Sequence, residues 1–169
     1  MQFFFRKKRA TVLVLLLCSP WLLCQAWIAV GAPDEAFTSM PVCSEDSGNC
    51  AHLGDDAMYR MDGEYTLIVN QSVDEVWDKV QQYIDESGSD ILFEEKNESG
   101  NYYTHFVERT SFWRFPDDVS VSAISPDGLE GAYTRIELHS QSRLGQSDLG
   151  VNPERLENLY ATLIGQFAA

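Results

Sequence analysis

The sequence predicts an α+β two-layer sandwich, a mostly antiparallel sheet of about five strands with two helices on one face. Three observations predict it: β-branched and aromatic runs of strand length recur between residues 65 and 139, two stretches repeat one helical apolar pattern, and the order is strand, helix, four strands, helix. With 169 residues, of which 44% are hydrophobic, the chain can bury one core. That excludes a disordered chain and an enzyme with separate cofactor and substrate domains.

The first strand is Tyr65-Thr-Leu-Ile-Val69. Ser72 stands three residues before Glu75, a capping box, and Val73, Val76, Trp77, Val80 and Ile84 follow at helical spacing until Gly88 ends the helix. Ile91–Glu94 reads as a short strand, Asn97-Glu-Ser-Gly100 as a turn, and Tyr102–Arg109 as a longer strand. Val119, Val121 and Ala123 alternate with serines, as expected for a strand with one wet face. Ser125-Pro-Asp-Gly128 suits a tight turn, and Thr134, Ile136 and Leu138 alternate with polar residues in the last strand. Asn152 reads as the N-cap of the second helix and Pro153 as its first residue, with Leu156, Leu159, Tyr160, Leu163 and Phe167 forming its stripe. The sheet's other face is expected to be open.

Three segments follow: residues 1–32 as a signal peptide or N-terminal membrane anchor, residues 33–63 as an acidic linker or arm, and residues 64–169 as the α+β domain. Behind the basic cluster Arg6-Lys-Lys-Arg9, Thr11 to Ala32 runs 22 residues without a charge, long enough as a helix to cross a bilayer. The basic flank keeps the N-terminus in the cytoplasm and exports the rest. Cleavage after a small-x-small site and retention as an anchor are both compatible with it, giving a soluble periplasmic or an inner-membrane-anchored protein. The chain's formal charge is -14, and beyond Arg9 only 8 basic residues face 26 acidic ones. A field of that sign excludes nucleic-acid binding through a basic patch.

Cys43 and Cys50 bracket the turn-forming hexapeptide Ser-Glu-Asp-Ser-Gly-Asn, and export favours a disulfide between them. Unpaired thiols and a metal site with His52 as third ligand are the alternatives, but no fourth ligand is suitably spaced, so no metal and no cofactor is expected.

Two loops stand out, Thr110-Ser-Phe-Trp-Arg-Phe-Pro-Asp-Asp118 and Ser140–Arg155. Together with Cys43 and Asn49-Cys50, Phe115-Pro-Asp-Asp118 and Ser142-Arg-x-Gly-x-Ser-Asp-x-Gly-Val-Asn-x-x-Arg155 resemble the pattern of domain-of-unknown-function family fourteen-ninety-nine of bacteria and photosynthetic eukaryotes. The resemblance covers roughly Cys43 to Leu163. It implies that these loops matter and implies no reaction. Glycine at position 48 stands where the pattern usually has proline.

In one reading Asp117, Asp118 and Asp148 pair with Arg114, Arg143 and Arg155 to lock the two loops together. In the other, the same groups with Ser142, Ser147 and Asn152 form a pocket for a carboxylate or phosphate at the helix N-terminus. Trp113 and Phe115 are the aromatic contact candidates, whereas Trp77 belongs to the core. His105 and His139 fall in strands near Ser140, Ser142 and Ser147, without a nucleophile-elbow sequence. The expected function is therefore that of an exported, noncatalytic cell-envelope module. It meets the membrane through its N-terminal segment and binds a small or lipid-like ligand or an envelope protein. A hydrolase using a strand histidine with a loop serine, and a purely structural envelope protein, are the alternatives.

Overall fold

A computed structural model describes residues 2–55, 58–126, 128 and 132–165, with side chains from residue 16 onward except that of residue 17. The expected α+β sandwich is present, with a sheet of seven strands instead of about five. Helix α1 (Gln2–Gly31) comes first, followed by β1 (Cys50–Leu53), β2 (Met58–Tyr59) and β3 (Ile68–Val69). Helix α2 (Val73–Ser87), strands β4 (Asp90–Lys96), β5 (Tyr102–Arg109), β6 (Pro116–Ile124) and β7 (Thr134–Ser142), and helix α3 (Val151–Ile164) complete the chain. The strands run antiparallel in the order β2-β1-β7-β6-β5-β4, and β3 pairs with the start of β7.

Local sequence explains α2 fully. Ser72 Oγ accepts from the Glu75 amide, Glu75 Oε2 accepts from the Ser72 amide at 2.7 Å, and Gly88 ends the helix at φ 63°. Val76, Val80 and Ile84 of α2 pack with Leu156, Leu159 and Leu163 of α3 over Phe106, Val119, Val121, Ile136 and Leu138 of the sheet. Trp77 is buried as expected and stacks on Tyr102, the ring centroids 4.4 Å apart.

Four expectations are corrected. The segment 33–63 is more than a linker. Its Cys-Ala-His-Leu run is a fully buried strand inserted between β2 and β7, hidden in the sequence because four residues cannot establish a period. The sheet's second face is covered as well, because residues 32–41 cross it and hydrogen-bond to its side chains. Asn152 does not cap α3. Gly150 does, at φ 90°, and Asn152 is fully buried at the second helical position, with Pro153 still in the first turn where its missing N–H costs nothing. Of Tyr65–Val69 only Ile68 and Val69 are strand.

The cytoplasmic-to-envelope segment stays an expectation. Among the described residues no helix is long and apolar enough to cross a membrane. The side chains of residues 2–15, which carry the basic cluster and much of the apolar run, lie outside those described, as do Asp127 of the expected turn and Phe167 of the expected stripe.

Candidate functional site

Strand alternation sends Asp117 and Asp118, read in the sequence as loop residues, to opposite faces of the sheet. On the helix face Arg155 Nη2 donates to Asp117 Oδ2 at 2.6 Å and Nε donates to Glu108 Oε2 at 2.8 Å. Arg155 Nη1 reaches Ser140 Oγ and Asn152 Oδ1, and Ser140 also donates to Asn152 at 2.6 Å. Asn152 Nδ2 passes the network on to the Asn49 carbonyl, Ser142 Oγ and Asp148 Oδ2. Tyr83 donates to Glu108, and burial pushes its phenol upward.

Asp148 ends this network in a bidentate pair with Arg60, at 2.7 and 2.9 Å. Arg60 is the partner the sequence did not disclose, sitting in the acidic segment at φ 54°. Burial works against the Asp148 carboxylate, but Arg60, the Gly150 amide and Asn152 outweigh it and hold the pKa at about 2. The folded chain therefore binds that proton less readily than the unfolded chain. The stabilisation is complete above the ordinary carboxylate value of 3.8 and is lost as pH falls toward 2. It should amount to about 2 kcal/mol. Urea midpoints between pH 5 and pH 2 should accordingly fall more steeply in the natural chain than in Asp148→Asn, whose stability at neutral pH should already be lower. Parallel curves would show that Asp148 carries no such share.

The other face holds all three histidines in one cross-strand row, His52–His139–Ser120–His105, set by the registers of β1, β7, β6 and β5. The Phe37 amide donates to His105 Nδ1 at 2.9 Å, so the ring proton lies on Nε2 and is donated to Asp118 Oδ1 at 2.7 Å. Phe37 also stacks on the His105 ring at 4.4 Å. Arg143 pairs with Asp118 through Nε and Nη2, and its Nη1 bonds Asp34 at 2.6 Å and the Pro33 carbonyl at 2.9 Å. Burial raises the Asp118 carboxyl, yet His105 and Arg143 together bring it below its ordinary value. His139 is held by His52 (Nδ1 to Nδ1, 3.2 Å) and by Gln141 Oε1 at 3.1 Å, and burial lowers its pKa to about 4. Cys43 and Cys50 are joined as a disulfide beside it.

Among the described residues no serine hydroxyl bonds to His105 or His139. Ser140 is spent on Asn152, Ser142 accepts from Asn152, and Ser147 receives the Leu149 amide. Arg114 belongs to neither network. It is exposed at φ 60° with no ion pair among the described residues, so the proposed triad of pairs is corrected to Asp117–Arg155, Asp118–Arg143 and Asp148–Arg60.

The two motif loops meet the end of α1. Trp21 Nε1 donates to the Phe112 carbonyl at 2.9 Å, Gln25 Nε2 to the Trp113 carbonyl at 2.8 Å, and Trp27 meets Phe115 edge to face. Between them lies a cavity of about 330 Å³, walled by Trp27, Phe115, Leu144, Leu149 and Val151, with Ser142, Ser147 and the paired Asp117 and Asp148 on its polar side. Leu149 stands at the rim, 94% exposed, in a left-handed conformation (φ 54°) that a leucine rarely adopts. Phe112 and Trp113 are exposed on the neighbouring loop.

A family model described as a protein of unknown function (DUF1499) matches residues 41–163. No curated protein and no solved structure matches the chain.

Proposed function

The chain belongs to the DUF1499 family, and from that premise we propose that it is a noncatalytic, exported binding module of the cell envelope whose ligand is a small, uncharged, lipid-like molecule. The observation that carries this reading is the cavity at the meeting point of the motif loops and α1. Its volume is at the low end for ligand sites, sufficient for a short acyl segment. Its two carboxylates are already paired with Arg155 and Arg60, so the lining offers apolar surface and hydroxyls without a free charge among the described residues. A strained leucine held in solvent at the rim, with Phe112 and Trp113 nearby, fits a surface that waits for an apolar partner.

Export rests on the basic cluster and the uncharged run behind it.

The test is native mass spectrometry of the full chain, released gently from the envelope of an exporting host and supplied with monooctanoylglycerol, an uncharged short-chain lipid, as the probe. One monooctanoylglycerol per chain is expected, lost on denaturation and lost in Leu144→Asp, which places a charge in the cavity wall. The denatured mass also reports whether the first segment was removed. Absence of an adduct, or equal adducts on the variant and the natural chain, would overturn the binding reading.

A further inference from the structure

We propose that the chain carries a second, redox-gated site: once the disulfide is reduced, Cys43, Cys50 and His139 bind one zinc ion beneath the arm. These three ligand atoms lie within 4.8 Å of one another and form the one such cluster among the described residues. The cluster is independent of the cavity between the motif loops and does not rest on the lipid-ligand reading.

Spacing is the first support. With Zn–S near 2.3 Å and Zn–N near 2.0–2.1 Å, neighbouring ligand atoms of a tetrahedral site stand about 3.5–3.8 Å apart. His139 Nε2 is already 3.5 Å from Cys50 Sγ. Cys43 is the half-buried member, on the covering arm, and is the side chain with room to turn so that the two sulfurs part.

The second support is the surrounding shell. The other ring nitrogen of His139 faces His52 at 3.2 Å, and His52 Nε2 faces Glu137 Oε1 at 3.3 Å. A carboxylate acting through an imidazole on the far side of a ligating histidine is the arrangement that orients such ligands. Gln141 Oε1, 3.1 Å from His139 Nε2, is an oxygen within reach of the fourth position. Sequence spacing alone suggested His52 as the third ligand; the β1–β7 register places His139 there and His52 behind it.

Charge is the third support. Cys50 and His139 are buried, so an ion of uncompensated charge would be costly there. Zn²⁺ with two thiolates and a neutral imidazole carries no net charge, and two sulfurs with one nitrogen select a thiophilic ion over calcium or magnesium. The chemistry balances with a dithiol reductant. It gives two electrons and two protons to the disulfide and leaves as its own disulfide, and the metal then displaces both thiol protons as the thiolates bind.

The experiment uses the full chain in detergent, reduced with a dithiol under anaerobic conditions, freed of excess reductant, and titrated with Co²⁺ followed by Zn²⁺. One cobalt per reduced chain is expected, with a thiolate-to-cobalt charge-transfer band and the visible bands of tetrahedral cobalt, all bleached by one equivalent of zinc. The oxidised chain should give no bands. His139→Ala should weaken zinc binding at least tenfold and alter the visible bands, while Cys43→Ser, a change on the arm that leaves the sheet intact, should abolish the charge-transfer spectrum of a bound pair. His52→Ala should weaken binding by about tenfold through loss of orientation. No bands in the reduced chain, or the same spectrum in folded His139→Ala, overturns the proposal.

Discussion

Arg155→Ala should destabilise the folded chain by about 3–5 kcal/mol, the usual cost of removing one partner from a buried ion pair. The magnitude follows from what the guanidinium holds. Asp117 is buried at its Nη2, Glu108 sits at its Nε, and Ser140 and Asn152 share its Nη1. Alanine leaves a buried carboxylate without its counter-charge and strips three further neighbours, Glu108, Ser140 and Asn152, of a donor. Among the described residues every buried side-chain nitrogen or oxygen already has a partner. Arg155→Lys should recover only part of the loss, because an ammonium cannot reach four acceptors along a planar fork. The urea midpoint is the readout. A shift equivalent to less than 1 kcal/mol would mean that the network gives orientation and little stability.

Asp118→Ala should cost a similar amount, about 3–5 kcal/mol, on the opposite face of the same strand. Here the loss has a local signature. Asp118 joins His105, which holds Phe37 of the covering arm, to Arg143, which holds Pro33 and Asp34. Without it the arm should lift before the sheet unfolds, so limited proteolysis should cut within residues 33–42 at urea concentrations where the circular dichroism of the sheet is unchanged. Asp118→Asn keeps an acceptor for His105 and should show a smaller effect. Arg114→Ala is the control and should stay within about 0.5 kcal/mol of the natural chain, as exposed positions do. Simultaneous loss of arm protection and sheet structure would sink the idea that Asp118 fastens the arm in particular.

Legibility in the sequence followed the range of the interaction. Helix α2 could be read almost to the residue because its determinants lie within a few positions of one another: Ser72 with Glu75, the stripe from Val76 to Ile84, and Gly88. Strand β5 was equally clear, being a continuous aromatic and β-branched run. Strand β1 was hidden because its identity lies in its pairing with residues 138–141 and in nothing local. Asp117-Asp118 suggests a loop when taken as a dipeptide. In the sheet the two side chains part to opposite faces, and their partners arrive from α3 and β7. Asn152 carries the chemistry of a cap but serves as a buried junction, since Asp148, Ser140 and Asn49 surround it. Arg60 offered no sequence signal at all: a single cation in an acidic stretch gives no indication of the carboxylate 88 residues away. The convergence of both motif loops on one cavity was legible as a pair of unusual segments, whereas the contribution of Trp27 was not.

The placement of β7 has a consequence for the order in which the molecule can be made. The last strand in sequence is also the hub of the sheet, with β6 on one side and both β1 and β3 on the other. A chain emerging from the ribosome, or from a translocation pore, presents β1 more than eighty residues before its only long partner exists. The hairpins β1–β2, β4–β5 and β5–β6 and helix α2 can form as they appear, but β1 and β3 must wait for residues 134–142 to join the sheet, the pattern that makes non-local sheets slow to close. Closure is then a single late event that captures the beginning of the domain with its end. Truncation before residue 134 should therefore leave the β4–β6 meander and α2 in place but β1 and β3 without their partner, and the domain unclosed.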